Sequence, residues 1–165
     1  MRNVAIVGAT GVVGQQFVVA LQDHPWFRIT HLAASPRSAG ERYGEAIRDP
    51  ATGRFAWFCD EEANESILDM VVEDASSLKI EECDVIFTAL EAEQARQLEP
   101  SYAKYKPVIS TAAAFRYEPD VPIIIPGVNS DHASLIDVQR NRRGWEGFIT
   151  PIPNLSLIHI SEPTR

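Results

Sequence analysis

Val4-Ala5-Ile6-Val7-Gly8-Ala9-Thr10-Gly11-Val12-Val13-Gly14 opens on a short apolar run rich in β-branched residues and breaks on three glycines, before a helical pattern begins with Phe17, Val18 and Leu21. The order is strand, turn, helix. The G-x-x-G-x-x-G spacing suits a phosphate-binding turn. Gly8 permits a tight turn, Gly11 lets the backbone approach a pyrophosphate, and Gly14 lets the helix pack on the strand. The helix start adds free N–H groups and positive potential. A lone glycine pattern fits an ordinary turn equally well; its place between a strand and a helix of a βαβ unit is what makes it specific.

Working outward, the first helix ends near Asp23-His24-Pro25, because the residue before a proline resists the helical basin. A second strand runs over 27–34 and completes the βαβ unit. Residues 35–60 carry Gly40, Gly44, Pro50 and Gly53 among charges, which predicts an irregular, ligand-facing connection. Met70-Val71-Val72 reads as a short strand, and 84–90 as a buried one because it is nearly continuous in apolar residues. A helix follows over 92–105, then a strand at Pro107-Val108-Ile109-Ser110 and an extended run at Val121-Pro122-Ile123-Ile124-Ile125. Asp131 is expected to cap a helix containing Leu135, Ile136 and Val138. Strands alternating with helices predict an α/β fold, a doubly wound and mostly parallel sheet of the Rossmann-like NAD(P)-binding kind. There is no internal repeat or low-complexity tract.

With 165 residues, 45% hydrophobic and 23% charged, the chain can bury one core and form one domain. A net charge of −8 argues against a nucleic-acid partner, since backbone phosphates attract clustered Lys and Arg. No stretch approaches the roughly 20 apolar residues of a membrane span, and no secretory h-region precedes the first strand. The expectation is a cytoplasmic protein with small-molecule partners and no membrane partner. Cys59 and Cys83 lie far apart without C-x-x-C spacing, so they read as core or near-core thiols, with no metal site or disulfide. Arg140-Asn141-Arg142-Arg143 reads as the solvated basic end of a helix rather than an anion site.

An NAD site would place Asp or Glu at the end of the second strand, where a carboxylate accepts hydrogen bonds from the ribose hydroxyls. This chain has Ala33-Ala34-Ser35-Pro36-Arg37-Ser38 there, hydroxyls and a guanidinium that suit a 2′-phosphate. The cofactor expected is NADP. The residues expected to hold it are Gly8, Thr10, Gly11, Val12, Val13, Gly14, Ser35, Arg37, Ser38 and Thr88.

Several blocks in order resemble the aspartate-semialdehyde dehydrogenase family of the archaeal and fungal type. They are Gly8-Ala9-Thr10-Gly11-Val12-Val13-Gly14-Gln15, Ala33-Ala34-Ser35 with Arg37-Ser38-Ala39-Gly40, Phe115-Arg116, Asp120-Val121-Pro122, Ile125-Pro126 with Val128-Asn129, and Pro153-Asn154. The resemblance implies NADPH-dependent reductive dephosphorylation of L-4-aspartyl phosphate to aspartate 4-semialdehyde, a step toward lysine, methionine and threonine. A cysteine thiolate forms a thioester there, dividing one difficult displacement into two. It also implies that Arg116 and Asn154 hold the substrate phosphate, and that the full-length enzyme is a homo-oligomer. From the residues alone, Arg116 pairs instead with Glu118 or Asp120, and Asn154 is a turn residue.

The match departs from the family after Asn154. The family motif continues into the catalytic cysteine, whereas position 155 is Leu, which has no nucleophile. Residues 155–165 do not resemble the family and read as a sequencing-artefact tail on a dinucleotide-binding domain of residues 1–154 that lacks its second, catalytic and dimerisation domain. Such a fragment is expected to be inactive and poorly soluble. Thr111, Glu41 and Gly127 are smaller departures, standing at or near places where the family has asparagine, lysine and glutamate. The rival expectations are a malonyl-CoA reductase of the same fold and, for the 165 residues taken literally, a noncatalytic NADP-binding module.

Overall fold

A computed structural model describes residues 1–153. The expectations placed on Asn154, Leu155 and the tail therefore lie outside the described residues. Six strands, β1 (Arg2–Val7), β2 (Phe27–Ala34), β3 (Val72–Asp74), β4 (Val85–Thr88), β5 (Pro107–Ser110) and β6 (Phe148–Pro151), form one sheet in the order β3-β2-β1-β4-β5-β6. Every neighbouring pair is parallel. The chain winds outward from β1 to β3, then crosses back to lay β4 on the other side of β1, so the direction of winding reverses between β1 and β4.

The alternation within β1 explains why it is central. Val4 and Ile6 pack with Val18 and Leu21 of α1 (Val12–Leu21), while Ala5 and Val7 pack with Ala95 and Tyr102 of α4 (Ala92–Ala103). A strand covered by helices on both faces has no polar side, hence the unbroken apolar run Val4–Val7 that follows Arg2 and Asn3 at its mouth. The expected α/β, doubly wound architecture is the one observed, here with all strands parallel.

The departures are local. The connection at 35–60 is not merely irregular. It contains α2 (Tyr43–Ala46) and an isolated bridge between Arg48 and Phe55, and it buries Tyr43 and Ile47 in the core beside α3 (Glu65–Leu68). The third strand begins at Val72 rather than Met70, two residues late. The run at 121–125 joins no ladder. Pro122 has no N–H to give, and the segment is held by the Asn129 side chain, whose Oδ1 accepts from Ile125 N at 2.6 Å and whose Nδ2 donates to Ile123 O at 2.9 Å. The sixth strand is β6, which was not anticipated. Asp131 does not cap α5 (Leu135–Arg143); it lies inside a 3₁₀ turn at Ser130–Ser134, and the helix begins after Ser134.

The basic end of α5 is only partly solvated. Arg143 grips the buried carboxylate of Asp120 with both nitrogens of its fork, Nε to Oδ2 at 2.5 Å and an Nη to Oδ1 at 2.8 Å, and reaches Glu118 at 3.3 Å. This clamp fastens the segment after Phe115 to the last helix, and Arg143 holds the Asp120 carboxyl below its usual range. Removing Arg143 takes both hydrogen bonds from a buried carboxylate and leaves it only the exposed Arg142 guanidinium at 3.9 Å, so Arg143→Ala is expected to cost about 3 kcal/mol. A depressed carboxyl pKa stabilises above the unfolded value and loses that contribution as pH falls through the folded value. Denaturant unfolding should therefore show a larger gap between wild type and variant at neutral pH than in acid.

Candidate functional site

The winding reversal leaves a crevice at the carboxyl ends of β1 and β4, where open α/β sheets bind ligands. The glycine turn forms its floor. Gly8 has φ of 81° and accepts no side chain, because a Cβ there would stand 2.3 Å from the Ala89 carbonyl oxygen. Gly14 packs so closely that a Cβ would come within 2.1 Å of the Gly8 oxygen. Around Gly11 the space is open, with only the Gly8 oxygen at 3.5 Å, as expected where a ligand approaches backbone. Gly11 caps α1 without any side-chain hydrogen bond, so the first-turn amides at Val12 and Val13 remain available for an anion.

Two clefts share this floor. One, of about 370 Å³, is bounded by Gly8, Thr10 and Gly11, by Ser35 and Pro36 after β2, and by Asp74 to Ser76 after β3. Residues on the approach to and first turns of α4, Leu90, Glu91, Gln94 and Leu98, close its far side. The other, of about 320 Å³, is bounded by Val13, Thr111, Ala112, Ala113 and Arg116. Ala89, Leu90 and Glu91 line both. An elongated ligand lying across the turn would thus occupy both compartments, with its middle over the α1 amides.

The structure brings most of the sequence-named residues to this crevice, though not all by their side chains. Gly8, Thr10, Gly11 and Ser35 line the larger cleft and Val13 the smaller; Val12 is exposed at the helix start, and Gly14 is buried behind the turn. Arg37 stands exposed one residue beyond the lining residue Pro36, whereas Ser38 is buried under that turn. Thr88 does not offer its hydroxyl to a ligand. It is fully buried, and Oγ1 donates to Glu99 at 2.6 Å. Asp74, Ser76, Leu90, Gln94 and Leu98 were missed. For Asp74 and Ser76 the available signal is an Asp-Ala-Ser step after an apolar run, masked because β3 ends at Asp74, two residues beyond the last apolar residue of that run. Asp74 Oδ1 accepts from both the amide and the hydroxyl of Ser76, which keep its carboxyl below the usual range.

Arg116 is freed by its neighbours. Both carboxylates available to it in sequence, Glu118 and Asp120, are taken by Arg143. One Arg116 Nη donates to Thr111 O at 2.9 Å, while its buried Nε has no partner among the described residues. A buried donor without a partner costs stability unless something supplies an acceptor. A guanidinium with a spare N–H at the edge of a cleft suits a phosphate or carboxylate group.

Behind the crevice, Glu99 of α4 ties two strand ends together. Its Oε1 accepts from Thr88 at 2.6 Å and from Ser110 at 2.7 Å, and Ser110 Oγ in turn accepts from Ala112 N at 3.0 Å. Burial raises the Glu99 carboxyl, outweighing these two hydrogen bonds. The two cysteines are poorly placed for attack. Cys83 is buried just before β4, at the opposite end of the strand from the crevice, and burial assisted by Glu73 pushes its thiol up to about 11. Cys59 is also raised, by burial and then by Asp60. Among the described residues no cluster of His, Cys, Asp and Glu could hold a metal ion, and no helix is long and apolar enough to cross a membrane.

Fold and crevice define a doubly wound nucleotide-binding domain. A family model described as semialdehyde dehydrogenase, NAD-binding domain, matches residues 3–136, and the chain belongs to that family. The aspartate-semialdehyde dehydrogenase of Methanothermobacter thermautotrophicus is 46% identical over 161 residues, 98% of this chain and 44% of the relative. A malonyl-CoA reductase (NADP) of Metallosphaera sedula is 39% identical over 150 residues, 90% of this chain and 40% of the relative. A crystal structure of aspartate-semialdehyde dehydrogenase with NADP from Candida albicans superposes with a TM-score of 0.80 at 35% identity, covering 94% of this chain and 43% of that one. The chain spans less than half the length of the relatives it matches.

Glu99 supplies a test of the crevice wall. A carboxyl whose folded pKa is raised ionises first in the unfolded chain, so it takes stability away as pH climbs above the ordinary carboxylate value. Glu99→Gln keeps an acceptor oxygen and removes that titration. Its melting temperature relative to wild type should rise as pH climbs above the ordinary carboxylate value; a constant difference would mean that the fold does not raise the Glu99 carboxyl.

Proposed function

We propose that this chain is the NADP-binding half of an aspartate-semialdehyde dehydrogenase, with residues 1–154 as the nucleotide-binding domain and residues 155–165 outside it. The observation that carries the proposal is Arg116, half-buried at the edge of the smaller cleft, with a buried spare Nε and no carboxylate partner among the described residues. In an aspartyl-phosphate reductase that position calls for a group that holds an anionic substrate next to the cofactor. The 46% identity to the Methanothermobacter enzyme along almost the whole chain supports the same assignment.

The residues present fit a dinucleotide. Gly11 leaves room for backbone to meet a diphosphate, and Gly8 closes the tight turn where a Cβ would clash with Ala89. The open amides at the start of α1 face that charge. Ser35 and Arg37, following β2 where no carboxylate stands, suit a 2′-phosphate, and this favours NADP over NAD. NADPH, when bound, supplies hydride. The chain's own part is to hold and orient. The α1 amides fix the diphosphate between the two clefts, and Arg116, with Asn154, binds the substrate's phosphate.

The nucleophile is the element that this sequence does not provide. Position 155, where the family motif has cysteine, is Leu, and the raised thiols of Cys59 and Cys83 form little thiolate at neutral pH. The 165 residues therefore bind cofactor without turning over substrate, in the cytoplasm, and the full-length enzyme acts as a homo-oligomer. Malonyl-CoA reduction is the second reading, favoured by the 39% identity to the Metallosphaera enzyme.

Fluorescence titration tests the cofactor, and a coupled assay tests the chemistry. NADP should bind at least about tenfold tighter than NAD, Arg37→Ala should abolish most of that preference, and this chain with NADPH should turn over neither aspartyl phosphate nor malonyl-CoA. Equal affinity for the two cofactors, or measurable turnover, would overturn the proposal. A full-length protein with cysteine at 155 should reduce aspartyl phosphate and leave malonyl-CoA untouched.

A further inference from the structure

Two buried polar side chains outside the crevice converge on the back of the glycine turn. Tyr43, fully buried at the start of α2, donates its hydroxyl to the Ala9 carbonyl at 2.7 Å. Gln15, fully buried in α1, donates to the Thr10 carbonyl at 3.2 Å and to Ala56 O at 2.8 Å, while its Oε1 accepts from Phe58 N at 2.8 Å. Two consecutive carbonyls of the turn are therefore held from behind. The backbone separately closes the turn, through Gly8 N and Ala9 N to Ala33 O and Gly11 N to Gly8 O.

Peptide planarity gives these contacts a consequence on the ligand side. In a trans peptide the C=O and the following N–H point in opposite directions. Drawing the Ala9 carbonyl toward Tyr43 turns the Thr10 N–H the other way, on the side where Gly8, Thr10 and Gly11 line the larger cleft. The Gln15 contact holds the next peptide, whose N–H is kept inside the turn by Gly8 O. With the Tyr43 hydroxyl gone, the Ala9–Thr10 peptide is free to rotate, and the donor has to be oriented when ligand arrives.

Resting on the assignment of this crevice to NADP, we propose that Tyr43 is a positioning residue for the cofactor's diphosphate. It acts through the Ala9–Thr10 peptide and preorganises the Thr10 N–H as a diphosphate donor, with Gln15 bracing the same turn. Burial raises the Tyr43 phenol, so the hydroxyl stays a donor over the working pH range. Preorganised donors owe their strength to not having to reorient when charge arrives.

The test separates the diphosphate from the rest of the ligand. NADP and adenosine 2′-monophosphate, which carries the 2′-phosphate but no diphosphate, are titrated into wild type and Tyr43→Phe by calorimetry. Tyr43→Phe should weaken NADP about tenfold, the scale of one preorganised hydrogen bond, and leave adenosine 2′-monophosphate unchanged. Equal weakening of both ligands would mean a general structural role and overturn the proposal, as would no weakening of NADP. Wild type that binds neither ligand would instead bring down the NADP assignment itself. Should Tyr43→Phe fail to fold, the Thr10 amide of nitrogen-15-labelled wild type is followed instead: NADP should shift it and adenosine 2′-monophosphate should not, and an unshifted Thr10 amide with NADP bound would overturn the proposal.

Discussion

Everything in this domain is arranged around the contact between the Gly8 carbonyl and the α carbon of Gly14. The helix that follows the turn lies against the turn itself, so tightly that one methyl group at position 14 would sit 2.1 Å from an oxygen atom. That approach brings the start of α1 under the carboxyl end of β1, where its open amides face the crevice. It leaves no freedom for sequence there. Alanine at Gly14 would have to push helix and strand apart, and alanine at Gly8 would have to displace the backbone of Ala89, which belongs to both clefts.

The surroundings hold that contact in register. Tyr43 and Gln15 fasten the turn from behind, and Glu99 fastens the ends of β4 and β5 in front. The Arg143–Asp120 clamp draws the segment after Phe115 onto α5 and, by occupying both nearby carboxylates, leaves Arg116 without a carboxylate partner among the described residues. Polar groups buried in this way are stabilising only when they are satisfied. Among the described residues the buried side-chain atoms left without a partner, Arg116 Nε and Glu99 Oε2, both lie in or behind the crevice wall.

Much of the fold is legible in the sequence wherever burial on two faces or a glycine constraint speaks locally. β2 is readable over its full length because apolar residues and flanking prolines bound it, and the β1–α1 junction because three glycines at fixed spacing have a steric reason. β6 is not legible. Of its four residues only Ile149 and Pro151 are buried, and its place at the sheet edge depends on pairing with β5, as in Pro107 with Phe148, far back in the chain. The run at 121–125 looks more like a strand than β6 does, yet Pro122 and the Asn129 side chain replace its ladder. In the site, backbone contributors such as Gly11 were readable and Thr88 was not, since its hydroxyl belongs to Glu99, a partner eleven residues away on a helix. Tyr43 was invisible for the same reason: a loop tyrosine in sequence is, in space, the back wall of the turn.

The central claim is that the β1–α1 junction grips a dinucleotide diphosphate through backbone amides. Amide chemical shifts of the nitrogen-15-labelled chain, followed during titration with NADP, test it most directly. The account predicts the largest shifts at Thr10, Gly11, Val12 and Val13, with a second group at Ser35 to Ser38. Shifts confined to the opposite end of the sheet, around Trp26 and Asp84, or no shifts at the junction with NADP bound, would contradict it.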